Sequence, residues 1–261
     1  MGRFATTAEF YEQFRPPYPA EFFRTVARKL TLSKQHALID LGTGPGLLAL
    51  GFAPYVGRVV GVDPEPRMLA AARSAVARAG EAVRLIEGRA EDLPGDIGGF
   101  DVVTIGRALH WMDRAALGPL FARLVAPGGA IVVCASFSAR DDRNPWRGDY
   151  GAARRAWSDQ GLLSGSDEGR QTHRNLADVL GPAGFDVVET IRVESTHEVS
   201  ATNLARRVLT FSSSSPAALG DKVNAMLTDI EARLLPFSRD GVLTETLMSA
   251  AGVARRPRSS P

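Results

Sequence analysis

Leu38-Ile-Asp-Leu-Gly-Thr-Gly-Pro-Gly-Leu47 is the stretch on which the reading of this chain turns. It opens with a short apolar run, Ala37-Leu-Ile-Asp-Leu41, that is stopped by glycine. Such a run fits a strand buried on both faces. Gly42, Gly44 and Gly46 follow at alternate positions, and helix-forming residues begin directly after them. Glycines here permit positive φ and let a ligand lie against bare backbone. The N-terminus of the helix beyond them favours negative charge. Taken alone the stretch is a nucleotide-loop signal, and a glycine-rich turn that holds no ligand would read the same way. The frame Gly44, Gly46, Ala49 also satisfies the loose G-x-G-x-x-G/A dinucleotide pattern.

Working outward, the same grammar repeats. Arg58–Asp63, Val83–Glu87, Phe100–Gly106 and Ala130–Ala135 read as further strands, the last introduced by the Pro127-Gly-Gly129 turn. Helical segments are expected at 46–54, 65–79 and 113–125, and the Ala-rich run from Arg67 to Ala79 contains no Gly or Pro. Apolar strands alternating with helices predict an α/β fold. We expect a doubly wound, Rossmann-like, mostly parallel sheet of seven strands, with helices on both faces and a small helical lid. Ligands of such sheets bind above the carboxyl ends of the strands. Downstream, Leu176–Leu180 reads as helix, Gly181-Pro-Ala-Gly184 as a turn and Phe185–Val193 as a strand. Helices are expected at 201–210 and 216–234, and a weakly signalled last strand around Leu247–Ala254.

Composition narrows the function classes. The 261 residues are 44% hydrophobic and 23% charged, with a net charge of +2, which speaks against whole-chain disorder and against a dedicated nucleic-acid binder. One cysteine, Cys134, rules out a disulfide scaffold and a multi-thiolate zinc site. No apolar run reaches the ~18 residues of a membrane span, and Met1–Phe14 has no signal-peptide core. The expectation is a soluble, cytoplasmic protein with no membrane or nucleic-acid partner.

Two further acids stand at strand ends. Asp63 closes Gly61-Val-Asp63, where a carboxylate can accept hydrogen bonds from both hydroxyls of a ribose, or cap the next helix. Met68, one turn on, can pack on an adenine face or in the core. In Gly88-Arg-Ala-Glu-Asp-Leu-Pro94 an acid can accept from an adenine amino group while a backbone N–H meets a ring nitrogen.

Together these motifs resemble the class I S-adenosylmethionine-dependent methyltransferases. Asp40-x-Gly42-x-Gly44-x-Gly46 is similar to their first motif, Asp63 stands at their ribose acid, and Ala90-Glu91 at their adenine loop. Gly106-Arg-Ala-Leu-His-Trp-Met-Asp113 and Tyr11-Glu-Gln-Phe-Arg-Pro-Pro-Tyr-Pro19 resemble the branch that contains trans-aconitate methyltransferase. The likeness covers roughly 10–135 well.

The resemblance implies S-adenosylmethionine as cofactor and S-adenosylhomocysteine as product; no metal is expected, since His36, His173 and His197 share no ligand-like spacing with an acid or with each other. It implies that Gly42 and Gly44 pass against the methionine and ribose, that Asp40 orients the methionine amine, and that Asp63 binds the ribose diol. Ala90 and Glu91 would frame the adenine, with Met68 and Arg107 also at the cofactor. Arg15, with Tyr11, would close over the methionine carboxylate. Arg89 departs from relatives that carry an acid before the alanine, so the acidic contact falls to Glu91 or Asp92, or is missing. Residues 1–35 would be a helical cap, 36–136 the cofactor-binding core, 137–180 a substrate-lid insertion, and 181–261 the last strands with a second lid segment.

The implied activity is methyl transfer to a small molecule, to the oxygen of a carboxylate or hydroxyl. His110 is the candidate general base for a hydroxyl, because its pKa lies near working pH. It equally fits a pocket wall or a cap of the helix near 113. Tyr18, His110 and Trp111 would meet the substrate, as would Trp146, Arg147 and Tyr150 in the polar stretch after the fifth strand. The alternatives are a nicotinamide-dependent oxidoreductase and a non-catalytic protein that binds the same cofactor.

Overall fold

In the computed structural model, which describes residues 14–157, 180–181, 183–210 and 220–257, the apolar runs are strands of one sheet. They are β1 (Ala37–Leu41), β2 (Arg58–Asp63), β3 (Val83–Glu87), β4 (Phe100–Gly106), β5 (Val125–Ser138), β6 (Asp186–Ser200) and β7 (Val242–Arg255). Their spatial order is β3-β2-β1-β4-β5-β7-β6. The β1–β2, β2–β3, β1–β4 and β4–β5 pairings are all parallel. The sheet is mostly parallel, as expected. Strand order reverses at β1, with β2 on one side and β4 on the other, and that reversal marks the ligand end of such sheets.

The helices are α1 (Ala20–Lys29), α2 (Leu47–Phe52), α3 (Pro66–Ala79), α4 (Arg114–Leu124), α5 (Arg147–Trp157), α6 (Ala201–Arg206) and α7 (Val223–Leu234). By their contacts the described residues fall into two compact units. One lies within Tyr18–Ala135, Glu168–Val193 and Ser249–Pro261, the other within Met1–Pro17, Ser136–Asp167 and Glu194–Met248.

In the first unit, strand alternation divides the apolar side chains between two layers. Ile39, Leu41, Val60, Val62, Val103 and Ile105 pack with Leu117, Phe121 and Leu124 of α4. Leu38, Val59, Val102 and Val132 pack with Phe22, Phe23 and Val26 of α1 and with Leu48 and Phe52 of α2. Each fully buried side chain of this size contributes about 1.5–3 kcal/mol. The close seating of α1 on α2 needs Gly51, whose Cβ would fall 2.0 Å from the Phe23 ring.

The second unit has its own core. Trp146, Tyr150 and Ala153 of α5, Leu204 of α6, and Met226, Ile230 and Leu234 of α7 form one cluster with Leu243. Beside it lies a buried ion pair. The Arg207 guanidinium donates to both Glu245 oxygens at 2.7 Å and to the Phe14 carbonyl at 2.8 Å. The Ser138 hydroxyl donates to Glu245 at 2.5 Å, and the His197 ring stands 3.4 Å from the same carboxylate. Burial works to raise the Glu245 pKa, but Arg207 outweighs it and holds the carboxyl below its ordinary range.

Three strands differ from expectation. β5 starts at Val125 and runs through Pro127-Gly-Gly129, with a register irregularity where it meets β4 between Phe100 and Val102. β6 continues from Val193 to Ser200 because its second half is only half buried and polar, which left no apolar signal. β7 starts at Val242, since Glu245, Thr246 and Ser249 are buried polar residues that mask the strand pattern. The helix expected at 201–210 is α6 followed by a 3-10 turn at Arg207–Thr210. Residues 176–179 of one expected helix, 216–219 of another, and 158–175 of the expected lid lie outside the described residues. Among the described residues no helix is long and apolar enough to cross a membrane.

Removing one partner of a buried pair leaves an uncompensated charge, a loss of about 3–5 kcal/mol. We therefore expect Glu245→Ala to lower the urea unfolding midpoint sharply, by a loss of that size. An unchanged midpoint would mean that Arg207 finds other acceptors.

Candidate cofactor site

The loop after β1 is organised by Asp40. Its carboxylate is buried and accepts the Thr43 hydroxyl at 2.7 Å on one oxygen and the Thr104 hydroxyl at 2.7 Å on the other. Thr104 is the β4 residue in register with Asp40, so one acid ties the glycine loop to the neighbouring strand. Burial, helped by the nearby Asp63 charge, raises the Asp40 pKa to about 6 against the lowering effect of those hydrogen bonds. Neither threonine was singled out from the sequence. The available signal was Thr104 itself, a hydroxyl inside the apolar run Val102-Val-Thr-Ile105.

Gly42, Gly44 and Gly46 all have positive φ, at 68°, 53° and 88°. Gly42 is also a packing requirement, because a Cβ there would fall 2.4 Å from the Ala108 Cβ in the segment after β4. Gly44 is different: among the described residues, beyond its own chain neighbours, no atom lies within 4 Å of where its Cβ would be, so one side of its backbone is open. Its N–H donates to Asp63 at 2.8 Å, and the Glu65 N–H donates to the other Asp63 oxygen at 2.9 Å. Burial raises the Asp63 pKa against the effect of these two donors.

Ala90 is buried in the 3-10 turn Ala90–Asp92 after β3, and Met68 is buried on α3. Glu91 does not stand alone in its loop. One of its oxygens accepts the Asp113 N–H at 2.6 Å and Arg89 at 3.3 Å. Burial acts to raise the Glu91 pKa, yet the Asp113 N–H and Arg89 bring it below the ordinary value. Asp113 caps α4 through its own side chain, which accepts the Ala115 N–H at 2.9 Å.

The segment after β4 begins with Arg107 at φ 58°, a sparsely populated conformation for a side chain of this size. Its guanidinium lies 5.3 Å from the centre of the Tyr18 ring. His110 and Trp111 sit exposed in the 3-10 turn Leu109–Trp111, their rings 4.8 Å apart.

Thus Tyr18, Asp40, Gly42, Gly44, Asp63, Met68, Ala90, Glu91, Arg107, His110 and Trp111 all belong to the unit built on β1–β4. Arg15, Trp146, Arg147 and Tyr150 belong to the other. There Arg15 donates to the Thr210 carbonyl at 2.9 Å, and Arg147 donates to the carbonyls of Ser138 and Ala139. Trp146 and Tyr150 stack edge-on, 5.8 Å apart, and the Trp146 Nε1 and Tyr150 hydroxyl are buried with no hydrogen-bond partner among the described residues. Tyr11 lies outside the described residues. Among the described residues no group of three or more His, Cys, Asp or Glu could hold a metal.

The Asp40 shift carries a pH dependence. The folded state holds this proton more tightly than the unfolded chain, at about 6 against 3.8. Stability from this group is full below 3.8 and is lost as the pH rises through 6, about 3 kcal/mol in all. Asp40→Asn removes the titration. We expect the difference in urea midpoint between variant and wild type to move in the variant's favour from pH 4 to pH 7. A difference independent of pH would contradict the raised pKa.

Residues 38–129 match a family described as a methyltransferase domain. An uncharacterized methyltransferase of Mycobacterium tuberculosis is 34% identical over 148 residues, 57% of either chain. The match thus spans little more than half the length of that relative. A methyltransferase from Geobacter sulfurreducens in complex with S-adenosyl-L-homocysteine superposes with a TM-score of 0.56 at 22% identity, covering 99% of both chains. One from Thiobacillus denitrificans, in complex with the same nucleoside, gives 0.56 at 19% identity, over 97% of this chain and 98% of that one. At these identities the structural likeness is one of fold. The sheet order, the glycine loop and the family match agree: residues 38–129 are similar to a methyltransferase domain, on a fold shared with S-adenosyl-L-homocysteine-bound methyltransferases.

Proposed function

We propose that the chain is a methyltransferase that binds S-adenosylmethionine and methylates an oxygen of a small molecule, a carboxylate or a hydroxyl. The observation that carries this reading is the Asp63 carboxylate bonded to the Gly44 N–H at the reversal of strand order. An ionised carboxylate offers about four acceptor sites. Asp63 uses one for Gly44 and one for Glu65, which leaves capacity for two ribose hydroxyls. The open side of Gly44 suits the close passage of the cofactor over the loop. Asp40, buried just below, places negative charge near the cationic methionine end. The Ala90 turn would meet the adenine, and Arg107 is the cation we assign to the methionine carboxylate.

When bound, the cofactor supplies a methyl group already made electrophilic by its sulfonium. The residues of the chain then have to hold an acceptor oxygen in line and keep water out, and orientation alone can lower the barrier by several kcal/mol. Trp111, exposed beside His110, suits an apolar wall whose π-face favours a sulfonium. A carboxylate acceptor is already ionised and needs no base. A hydroxyl acceptor needs one, and we assign His110 in the same turn to that role.

Calorimetric titration with S-adenosylmethionine and S-adenosylhomocysteine tests the cofactor. One-to-one binding should weaken at least tenfold, about 1.4 kcal/mol, in Asp63→Ala. Heat from NADH but from neither sulfur nucleoside would overturn the reading in favour of an oxidoreductase. Turnover on a panel of carboxylates and phenols then tests the base. His110→Ala should leave carboxylate methylation within a few-fold of wild type and slow phenol methylation by about 10²–10⁴. Equal losses on both classes would make His110 a wall residue.

A further inference from the structure

The loop after β3 is fastened to α4 at two places. At the start of the helix, Glu91, only 11% exposed, accepts the N–H of the capping residue Asp113 at 2.6 Å. Near its end, Arg123 donates to the carbonyls of Leu93 at 3.0 Å and Pro94 at 2.7 Å. The turn that carries His110 and Trp111 leads directly into Asp113, and its Trp111 N–H is bonded to Ala108 at 2.9 Å. Ala108 in turn fills the space left by the missing side chain of Gly42. The Glu91 bond joins a carboxylate to a backbone N–H, a charge-assisted contact of the stronger kind. Its oxygen is already committed, which argues for a role other than touching a ligand with that atom.

We propose that Glu91 and Arg123 are positioning residues that lock the loop after β3 to α4, so that this loop and the His110–Trp111 turn move as one piece. A nucleoside that settles the loop then also settles the turn, and the acceptor wall is set only when the cofactor is in place. This consequence rests on the cofactor reading above, whereas the lock itself does not.

Hydrogen exchange on the full chain tests both parts, with S-adenosylhomocysteine as the probe. Without ligand, Glu91→Ala should speed exchange over 108–116 by about tenfold or more, as befits loss of a charge-assisted bond. Glu91→Gln, whose amide oxygen still accepts, should restore exchange to near wild type. Arg123→Ala should loosen 90–94 instead and serves as the second variant. At saturating probe, wild type should gain protection over both 88–94 and 108–116, and Glu91→Ala over the first segment alone. Unchanged exchange over 108–116 in ligand-free Glu91→Ala overturns the lock. So does protection of both segments in that variant at saturation, which would show that the turn is settled without Glu91. If wild type does not bind the probe, the cofactor reading fails, and the ligand-free comparison still decides the lock.

Discussion

A buried carboxylate held between two hydroxyls is the constraint around which the carboxyl end of the parallel strands is arranged. Asp40 cannot move without breaking its bonds to Thr43 in the glycine loop and to Thr104 in the adjacent strand. Its burial is unfavourable for the charge and is only partly offset by those bonds. Strain of that kind persists where the surrounding structure over-determines it, and such sites are enriched in function. Here the surrounding structure is the reversal of strand order at β1, which brings three loop segments to one end of the sheet. Asp63 repeats the device one strand away by taking the Gly44 N–H. The glycine loop is therefore shaped by acids on both sides before any ligand arrives.

The second unit solves the same problem with the opposite balance. Glu245 is as buried as Asp40, but Arg207 meets it with two hydrogen bonds, so its pKa falls where that of Asp40 rises. Asn144 contributes in the same unit, with its side chain satisfying the Ala139 and Thr246 carbonyls and the Thr246 N–H. Polar groups that are buried must be matched in this way, because leaving one unmade costs more than making it gains. The Trp146 and Tyr150 polar atoms stand out against that background.

Much of the fold was legible because parallel strands covered on both faces spell themselves as apolar runs. Leu38 and Ile39 go to opposite layers, yet both must be apolar, so β1 reads plainly. β7 did not read so plainly. Glu245 breaks its pattern, and the partner that makes Glu245 tolerable, Arg207, is 38 residues away. The second half of β6 was hidden for a simpler reason: a half-exposed strand needs no apolar residues. At the site, Asp63 was visible because a strand end with an acid is a local pattern. The hydroxyl of Thr104 was not, because its meaning depends on a register partner 64 residues upstream.

The sequence by itself determined the order of strands and helices, the glycine loop, and the strand-end acids, since each follows from periodicity or backbone freedom within a few residues. Only the tertiary structure decided how those acids are used. It set Asp40 between two threonines, turned Glu91 toward the Asp113 N–H, and joined Arg207 to Glu245. The physical reason is that burial and pairing are properties of neighbours in space, and a carboxylate carries the same letter whether it faces a ligand, a backbone N–H or a guanidinium.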